Sequence, residues 1–460
     1  MRFEDLYDVN PWWLDPDSIK TDKHVIMYET KKYRYHPGRI LEQIKFDEPG
    51  LYTLRGPRQI GKTTTIKLII KKLITEGINP RKILYFPCDN VKDRFEFTEL
   101  MIRYVKTLPE SKEAFIFVDE ITVIPEWQLA IKYLIDNGFI DKSVILLTGS
   151  SAYDLKISSE KLPGRRGSGR DIIYLPLSFN EFLKGFQIDI KRISLTDFLN
   201  LSMEDLKNFE TKLSFLKRYY DIYWNTGGFP FAANEFLENG VLKNETFIII
   251  TDLILGDAEK YLKARLRIRE LLTKLPRIIG QRFSWNRIVN FLENFAESPL
   301  TVKNYIEFLS YIYTFAVVYF VDISKRTMRP KKQKKVYPID MLILKTLEKL
   351  SDVRVEHGHI AEMIVLRHLI KDSEDVEDGL NLYMGPFYWY SNKGNEIDFI
   401  AERENRLVPV EVKYQNRIAK SDYFGVKKVF GQGIIVTKDT VFKDQGITGV
   451  PLWLFIALVE

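Results

Sequence analysis

Between residues 50 and 185, short apolar runs alternate with segments whose hydrophobic positions recur every three or four residues. The runs Leu51–Arg55, Lys82–Phe86, Ala114–Asp119, Ser143–Thr148 and Asp171–Leu175 predict strands, and Thr63–Glu76 and Trp127–Asn137 predict helices between them. Alternation of this kind points to an α/β fold with a mostly parallel sheet. Beyond residue 190 the periodicity turns helical, as in a lid. Asn225-Thr226-Gly227-Gly228-Phe229-Pro230 interrupts it with a rigid turn that carries no chemistry. Helices are predicted again at Trp285–Leu292 and Ser298–Ile312, with Ser298 as N-cap and Pro299 in the first turn. Strand-like runs Ala316–Ile323 and Val336–Ile339 follow. Two helices and a hairpin make a winged helix, whose second helix would read a groove. The boundaries expected are an arm at 1–38, a core at 39–190, a helical lid or linker at 191–265, a winged helix at 266–345 and a last module at 346–460.

The apolar strand ending at Arg55 runs into Gly56-Pro57-Arg58-Gln59-Ile60-Gly61-Lys62-Thr63-Thr64, which opens the next helix. This is the phosphate-loop pattern in the required context. Gly56 and Gly61 let the main chain wrap close to phosphates, so that amide N–H groups and the helix N-terminus face an anion. Lys62 supplies a charge near the β and γ phosphates of ATP, and the Thr63 hydroxyl is placed to hold Mg²⁺. Thr64, the next residue, is read with the nucleotide-binding set. A second buried strand ends in Val118-Asp119-Glu120. Asp119 is expected to bind Mg²⁺, directly or through water, and Glu120 to polarise the attacking water. Val144–Thr148 is followed by Gly149-Ser150-Ser151; Thr148 or Ser150 could sense the γ phosphate or serve as a helix cap. In the loop Leu162-Pro163-Gly164-Arg165-Arg166-Gly167, Arg165 is the first candidate to reach a neighbouring subunit's γ phosphate, with Arg166 and Arg170 in reserve. That reading implies a homo-oligomer; a solvated basic loop is the alternative.

Charge changes the picture in one place. The net charge of +6 is mild for 460 residues, but Lys325, Arg326, Arg329, Lys331, Lys332, Lys334 and Lys335 form an acid-free run between the two strand-like segments. As the tip of a wing, such a run would meet nucleic-acid phosphates, DNA before RNA. Alternatively it keeps an exposed hairpin soluble while the helices pack on the core.

The last module carries a carboxylate pattern. Glu362 lies on an apparent helix, Ile360–Lys371, and Asn395–Ile400 and Leu407–Lys413 flank the polar segment Glu402–Arg406. If the turn centres on Glu404-Asn405, Asp398 stands opposite Glu411, and Lys413 shares their face. Two facing carboxylates repel unless a divalent cation sits between them, and with a lysine they suit phosphodiester cleavage. A surface hairpin with an acid–lysine pair would look the same.

Together Gly56–Thr63, Val118-Asp119-Glu120, Leu147–Ser151, Leu162–Gly167, Leu175-Pro176-Leu177-Ser178-Phe179, Gly228-Phe229-Pro230, Glu396-Ile397-Asp398-Phe399 and Pro409-Val410-Glu411-Val412-Lys413 resemble a family of archaeal and bacterial AAA-type ATPases. Its members join a phosphate-loop core to a winged helix and a C-terminal domain of restriction-endonuclease-like (PD-(D/E)xK) fold. The resemblance implies an α/β P-loop NTPase core with a helical lid, a winged helix and an α/β endonuclease-like domain. It also implies a second metal cluster at Glu362, Asp398, Glu411 and Lys413. The cationic insert Lys325–Lys335 and the first fifty residues depart from it; Asn10-Pro11-Trp12-Trp13 reads as a docking arm.

Composition sets the remaining bounds. Hydrophobic content of 45% and charge of 28% describe a globular chain. The uncharged stretch Phe308–Val321 is too short to span a bilayer, so no membrane is expected. A single cysteine, Cys88, excludes an intramolecular disulfide and fits a reducing, cytoplasmic setting. Three functions fit, in this order: an ATPase acting on nucleic acid, a nucleotide-gated switch or protein-remodelling ATPase, and a metal-dependent nuclease.

Overall fold

The computed structural model describes residues 1–109, 113–149, 162, 164–291, 298–370, 379–392 and 394–460. The chain forms two compact units, Met1–Leu175 and Pro176–Glu460. Among the described residues no helix is long and apolar enough to cross a membrane.

The first unit is built on strands β1 (Gly50–Arg55), β2 (Ile83–Pro87), β3 (Phe115–Asp119), β4 (Val144–Thr148) and β5 (Asp171–Ile173), ordered β2-β3-β4-β1-β5 and parallel throughout. Every residue of β1 and β4 is buried, as expected of a parallel sheet covered on both faces. Helices Lys62–Thr75, Arg94–Val105 and Trp127–Asp136 make the crossovers. Strand boundaries differ from those predicted by one or two residues. The order brings the C-terminal ends of β3, β4 and β1 side by side, so the residues following those strands share one edge.

The first residues dock on the same unit. Edge strand β2 would expose unpaired backbone groups. The Asn10 side chain accepts from the Tyr85 amide at 2.6 Å and donates to the Tyr85 carbonyl at 2.9 Å, as a paired strand would. The indoles of Trp12 and Trp13 donate to the Ile83 carbonyl at 3.1 and 2.8 Å. Asn10-Pro11-Trp12-Trp13 therefore closes the sheet edge, which accounts for two tryptophans so near the start of the chain.

In the second unit, helices Trp285–Phe291 and Pro299–Tyr311 precede β6 (Phe315–Tyr319), β7 (Val321–Asp322), β8 (Thr327–Met328) and β9 (Lys334–Pro338). Ser298 caps the second helix, accepting from the Thr301 amide at 3.1 Å. Strand β6 pairs antiparallel with β9, while β7 and β8 make a separate small hairpin, so the predicted run Ala316–Ile323 is divided. Strand β10 (Asn381–Leu382) joins β6 on its other side. After helices Met341–Ser351 and His357–Leu369 come β11 (Phe387–Tyr390), β12 (Glu396–Arg403), β13 (Arg406–Lys413), β14 (Gly433–Thr437), β15 (Phe442–Asp444) and β16 (Ile447–Pro451). These form a mixed sheet ordered β11-β12-β13-β14-β16-β15, with helix Phe424–Phe430 leading into β14. The β12–β13 turn is centred on Glu404 and Asn405, both at positive φ, and its register runs from Arg403↔Arg406 to Phe399↔Val410. One step further, Asp398 faces Glu411.

The turn at Gly227 has φ +67° and ψ −159°, a conformation open essentially to glycine alone, and a Cβ there would lie 2.0 Å from the Asp340 carboxylate. That carboxylate accepts from the Gly228 amide at 2.7 Å and the Leu342 amide at 2.8 Å, tying the turn to the helix beginning at Met341. Gly227→Ala is expected to lower stability by about 3 kcal/mol in denaturant unfolding; an unchanged midpoint would contradict this reading of the turn.

Candidate functional site

The loop between β1 and helix Lys62–Thr75 owes its shape to four residues. Gly56 passes so close to the chain after β5 that a Cβ would sit 2.2 Å from the Tyr174 carbonyl oxygen. Gln59 and Gly61 have φ of +64° and +104°, and buried Ile60 anchors the loop between them. Gly61 starts the helix without a side-chain cap among the described residues, so the N–H groups of the first turn point into the loop. The Lys62 ammonium folds over the loop mouth, donating to the Gly56 and Pro57 carbonyls at 3.1 Å each.

Three hydroxyls converge on the buried Asp119 carboxylate. Thr63 Oγ1 donates to Oδ2 at 2.8 Å, Tyr85 Oη donates to Oδ2 at 3.0 Å, and Thr148 Oγ1 donates to Oδ1. The strand order explains this convergence, since β3 lies between β2 and β4 and Thr148 pairs in register with Leu54. Burial, then the Asp119 charge, pushes the Tyr85 phenol far above its ordinary range, so it remains a donor. The next residue, Glu120, has φ +59°, unusual for a side chain of its kind, and its amide lies 3.3 Å from Thr148 Oγ1. Sequence reasoning did not single out Tyr85; its place on β2 next to β3 was the available signal.

A second polar cluster forms in the C-terminal sheet. Asp398 and Glu411 meet as the register requires: the Asp398 amide donates to Glu411 Oε2 at 3.2 Å, and the Val412 amide to Asp398 Oδ2 at 3.0 Å. Lys413 Nζ is 2.6 Å from Glu411 Oε1. Glu362 completes the group of four read from the sequence, held by the Tyr337 hydroxyl at 2.5 Å and His359 Nδ1 at 3.1 Å. Burial, reinforced by the Asp398 charge, raises the Glu411 carboxyl to about 8. Two members were not foreseen. Lys335 Nζ, from β9, lies 2.6 Å from Glu396, 3.1 Å from Asp398 and 3.7 Å from Glu362. Burial opposes its charge, but the groups facing it, Tyr337, Glu362, Asp398 and Glu396, hold it well above the usual lysine range. Among the described residues no group of three or more His, Cys, Asp or Glu is arranged to hold a metal ion. Glu362, Asp398, Glu411 and Lys413 thus lie in one cluster, with Lys335 between Glu362 and Asp398.

Residues 48–183 match the sequence profile described as the AAA domain. With the loop geometry above, that decides the class of the first unit's core. It is an AAA-type P-loop ATPase domain. Residues 217–354 and 357–455 match two domains of unknown function, DUF8612 and DUF4143. Among solved structures, the chain overlaps the Walker-type ATPase PABY2304 of Pyrococcus abyssi at 14% identity and TM-score 0.41, covering 67% of this chain and 94% of that one. The Aeropyrum pernix Orc1 protein in complex with DNA overlaps at 12% identity and TM-score 0.31, covering 74% and 96%. AMPPCP-bound DnaA from Aquifex aeolicus overlaps at 15% identity and TM-score 0.23, covering 58% and 85%. Overlaps this loose carry no weight, and the class rests on the profile and the geometry. No curated protein matches the chain.

Within the AAA domain, two of the three arginines expected to act across a subunit boundary have partners in their own chain. Arg165 grips both Asp136 oxygens, at 2.6 and 3.0 Å, and Arg166 shares Asp171 with Arg55. Ser150, Ser151 and Pro163 lie outside the described residues. The cationic run Lys325–Lys335 is also not uniform. Lys334 and Lys335 are buried inside β9 rather than at a wing tip. Arg329 pairs with Asp322 at 2.8 Å, and Arg326 donates to the Asn405 carbonyl. Lys325, Lys331 and Lys332 are exposed.

Proposed function

We propose that the chain is a Mg²⁺-dependent ATPase, converting ATP to ADP and phosphate, that works on nucleic acid through the second unit. The observation carrying this reading is the meeting of Lys62, Thr63 and Asp119 at the mouth of a glycine-bounded loop. A hydroxyl and a carboxylate 2.8 Å apart at that mouth suit a hard cation, and Thr63 and Asp119 would hold Mg²⁺ there. Bound Mg²⁺ would offset charge on the β and γ phosphate oxygens. The backbone N–H groups of residues 58–64 bind the phosphates, Lys62 orients the terminal one, and Glu120 takes up the hydrogen bond of the attacking water.

For the second unit, the reading rests on two helices followed by an antiparallel pair, with Lys325, Lys331 and Lys332 turned to solvent beside them. The order helix, three antiparallel strands, helix, parallel strand after residue 357 agrees with an endonuclease-like module. Three phosphate contacts would give a log affinity against log salt slope of about −3. The test is ATP turnover with single-stranded, double-stranded and branched DNA, on wild type and on the Lys331→Glu/Lys332→Glu double variant. Stimulation that falls with salt and disappears in the variant is expected. Turnover indifferent to every DNA would overturn the nucleic-acid part. It would favour a protein-remodelling ATPase, the reading that agrees better with the burial of Lys334 and Lys335.

A further inference from the structure

The C-terminal carboxylates pose a question of charge. Glu362, Glu396, Asp398 and Glu411 crowd one face of β12 and β13 and the adjoining helix His357–Leu369, and all but Glu396 are nearly inaccessible to solvent. Buried carboxylates gathered this closely require cations. A nuclease of this general design would supply a divalent metal.

We propose instead that Lys335 is the resident cation of this cluster: its ammonium stands where a divalent metal would, so the C-terminal module neither binds a metal there nor cuts. This goes beyond the ATPase reading and does not depend on it. Three observations carry it. First, the geometry is that of an ammonium. Contacts of 2.6, 3.1 and 3.7 Å to Glu396, Asp398 and Glu362 are hydrogen-bond and ion-pair lengths. Mg²⁺ and Ca²⁺ would need oxygens at about 2.0–2.6 Å from one centre.

Second, the charge is already met. Arg282 lies 3.1 Å from Glu396, Lys413 lies 2.6 Å from Glu411, and His359 and the Tyr337 hydroxyl attend Glu362. Lys335, Lys413 and Arg282 together face four carboxyls, and a dication placed beside Lys335 would meet strong repulsion in a site sheltered from water.

Third, the lysine cannot simply withdraw. Lys335 pairs with Val318 in the β6–β9 ladder, is 1% exposed, and has its Nζ 5.7 Å from the Tyr388 ring centre. A strand in the segment matching one domain profile, 217–354, thus inserts its charge into the site of the segment matching the next, 357–455. The cluster works as a clasp between the two.

The test is titration of the nucleotide-free full chain with Mn²⁺, followed by the electron paramagnetic resonance signal of the free ion. The variants are Asp398→Asn, Lys335→Arg, Lys335→Met and Lys335→Met/Asp398→Asn. Wild type, Asp398→Asn and Lys335→Arg are expected to give the same titration. Lys335→Met is expected to gain one site per chain, at least about tenfold tighter than any difference between wild type and Asp398→Asn, and lost again in the double variant. A Mn²⁺ site present in wild type and absent from Asp398→Asn would overturn the proposal. So would a folded Lys335→Met that gains nothing. Should Lys335→Met fail to fold, the comparison of wild type with Asp398→Asn decides alone. Failure here leaves ATP turnover at the phosphate loop untouched, so the two readings fail separately.

Discussion

The Glu120→Gln variant is expected to hold ATP as wild type does while releasing phosphate about 10²- to 10⁴-fold more slowly. Glutamine keeps the shape of the side chain and the left-handed backbone at φ +59°, so the site should not rearrange. What it removes is the carboxylate able to accept the proton of an attacking water. The position agrees with that role. Glu120 follows directly on Asp119, and its amide lies 3.3 Å from the hydroxyl of Thr148, itself a donor to Asp119. Carboxylate, hydroxyl and water would thus lie along one sheet edge. Filter binding of labelled ATP beside single-turnover phosphate release separates the two effects. A release rate within threefold of wild type would remove Glu120 from the chemistry.

Lys62→Ala acts one step earlier and should lose nucleotide binding itself. The ammonium sits within the loop mouth, 3.1 Å from two of its carbonyls, and is nearly buried. Phosphate oxygens offer stronger acceptors than those carbonyls, because both partners would then be charged. Losing charge-assisted hydrogen bonds of this kind costs about 2–3 kcal/mol, on the order of a hundredfold in affinity, and turnover should vanish with it. Thr63 and Asp119 remain in place in this variant, so a normal affinity would mean that Lys62 does not hold the triphosphate.

Much of this was legible in the sequence, for a physical reason in each case. Buried parallel strands need unbroken apolar runs, so β1, β3 and β4 stood out to within a residue. The phosphate loop was legible because two of its residue types are forced: glycine where Tyr174 passes close behind Gly56, glycine again at the φ of Gly61. The facing of Asp398 and Glu411 followed from a two-residue turn, since strand side chains repeat every two positions and the turn sets the phase.

What the sequence left hidden shares a cause. Seven cations without an acid read as the tip of a wing, yet Lys334 and Lys335 lie inside β9, because acids far along the chain, Glu362, Glu396 and Asp398, receive the second of them. No local pattern announces that. Arg165 meets Asp136, on the helix before β4, a pairing equally hidden from the local sequence. Asn10 likewise needs the β2 backbone beside it before its role as an edge cap can be seen.

Phosphate release by the purified wild-type chain, measured in Mg²⁺ and again in excess EDTA, tests the central claim most directly. The expected result is steady conversion of ATP to ADP in Mg²⁺ that stops when the metal is chelated. ATP left intact in Mg²⁺, or hydrolysed equally well without it, would contradict a site in which Thr63 and Asp119 hold the metal against a triphosphate.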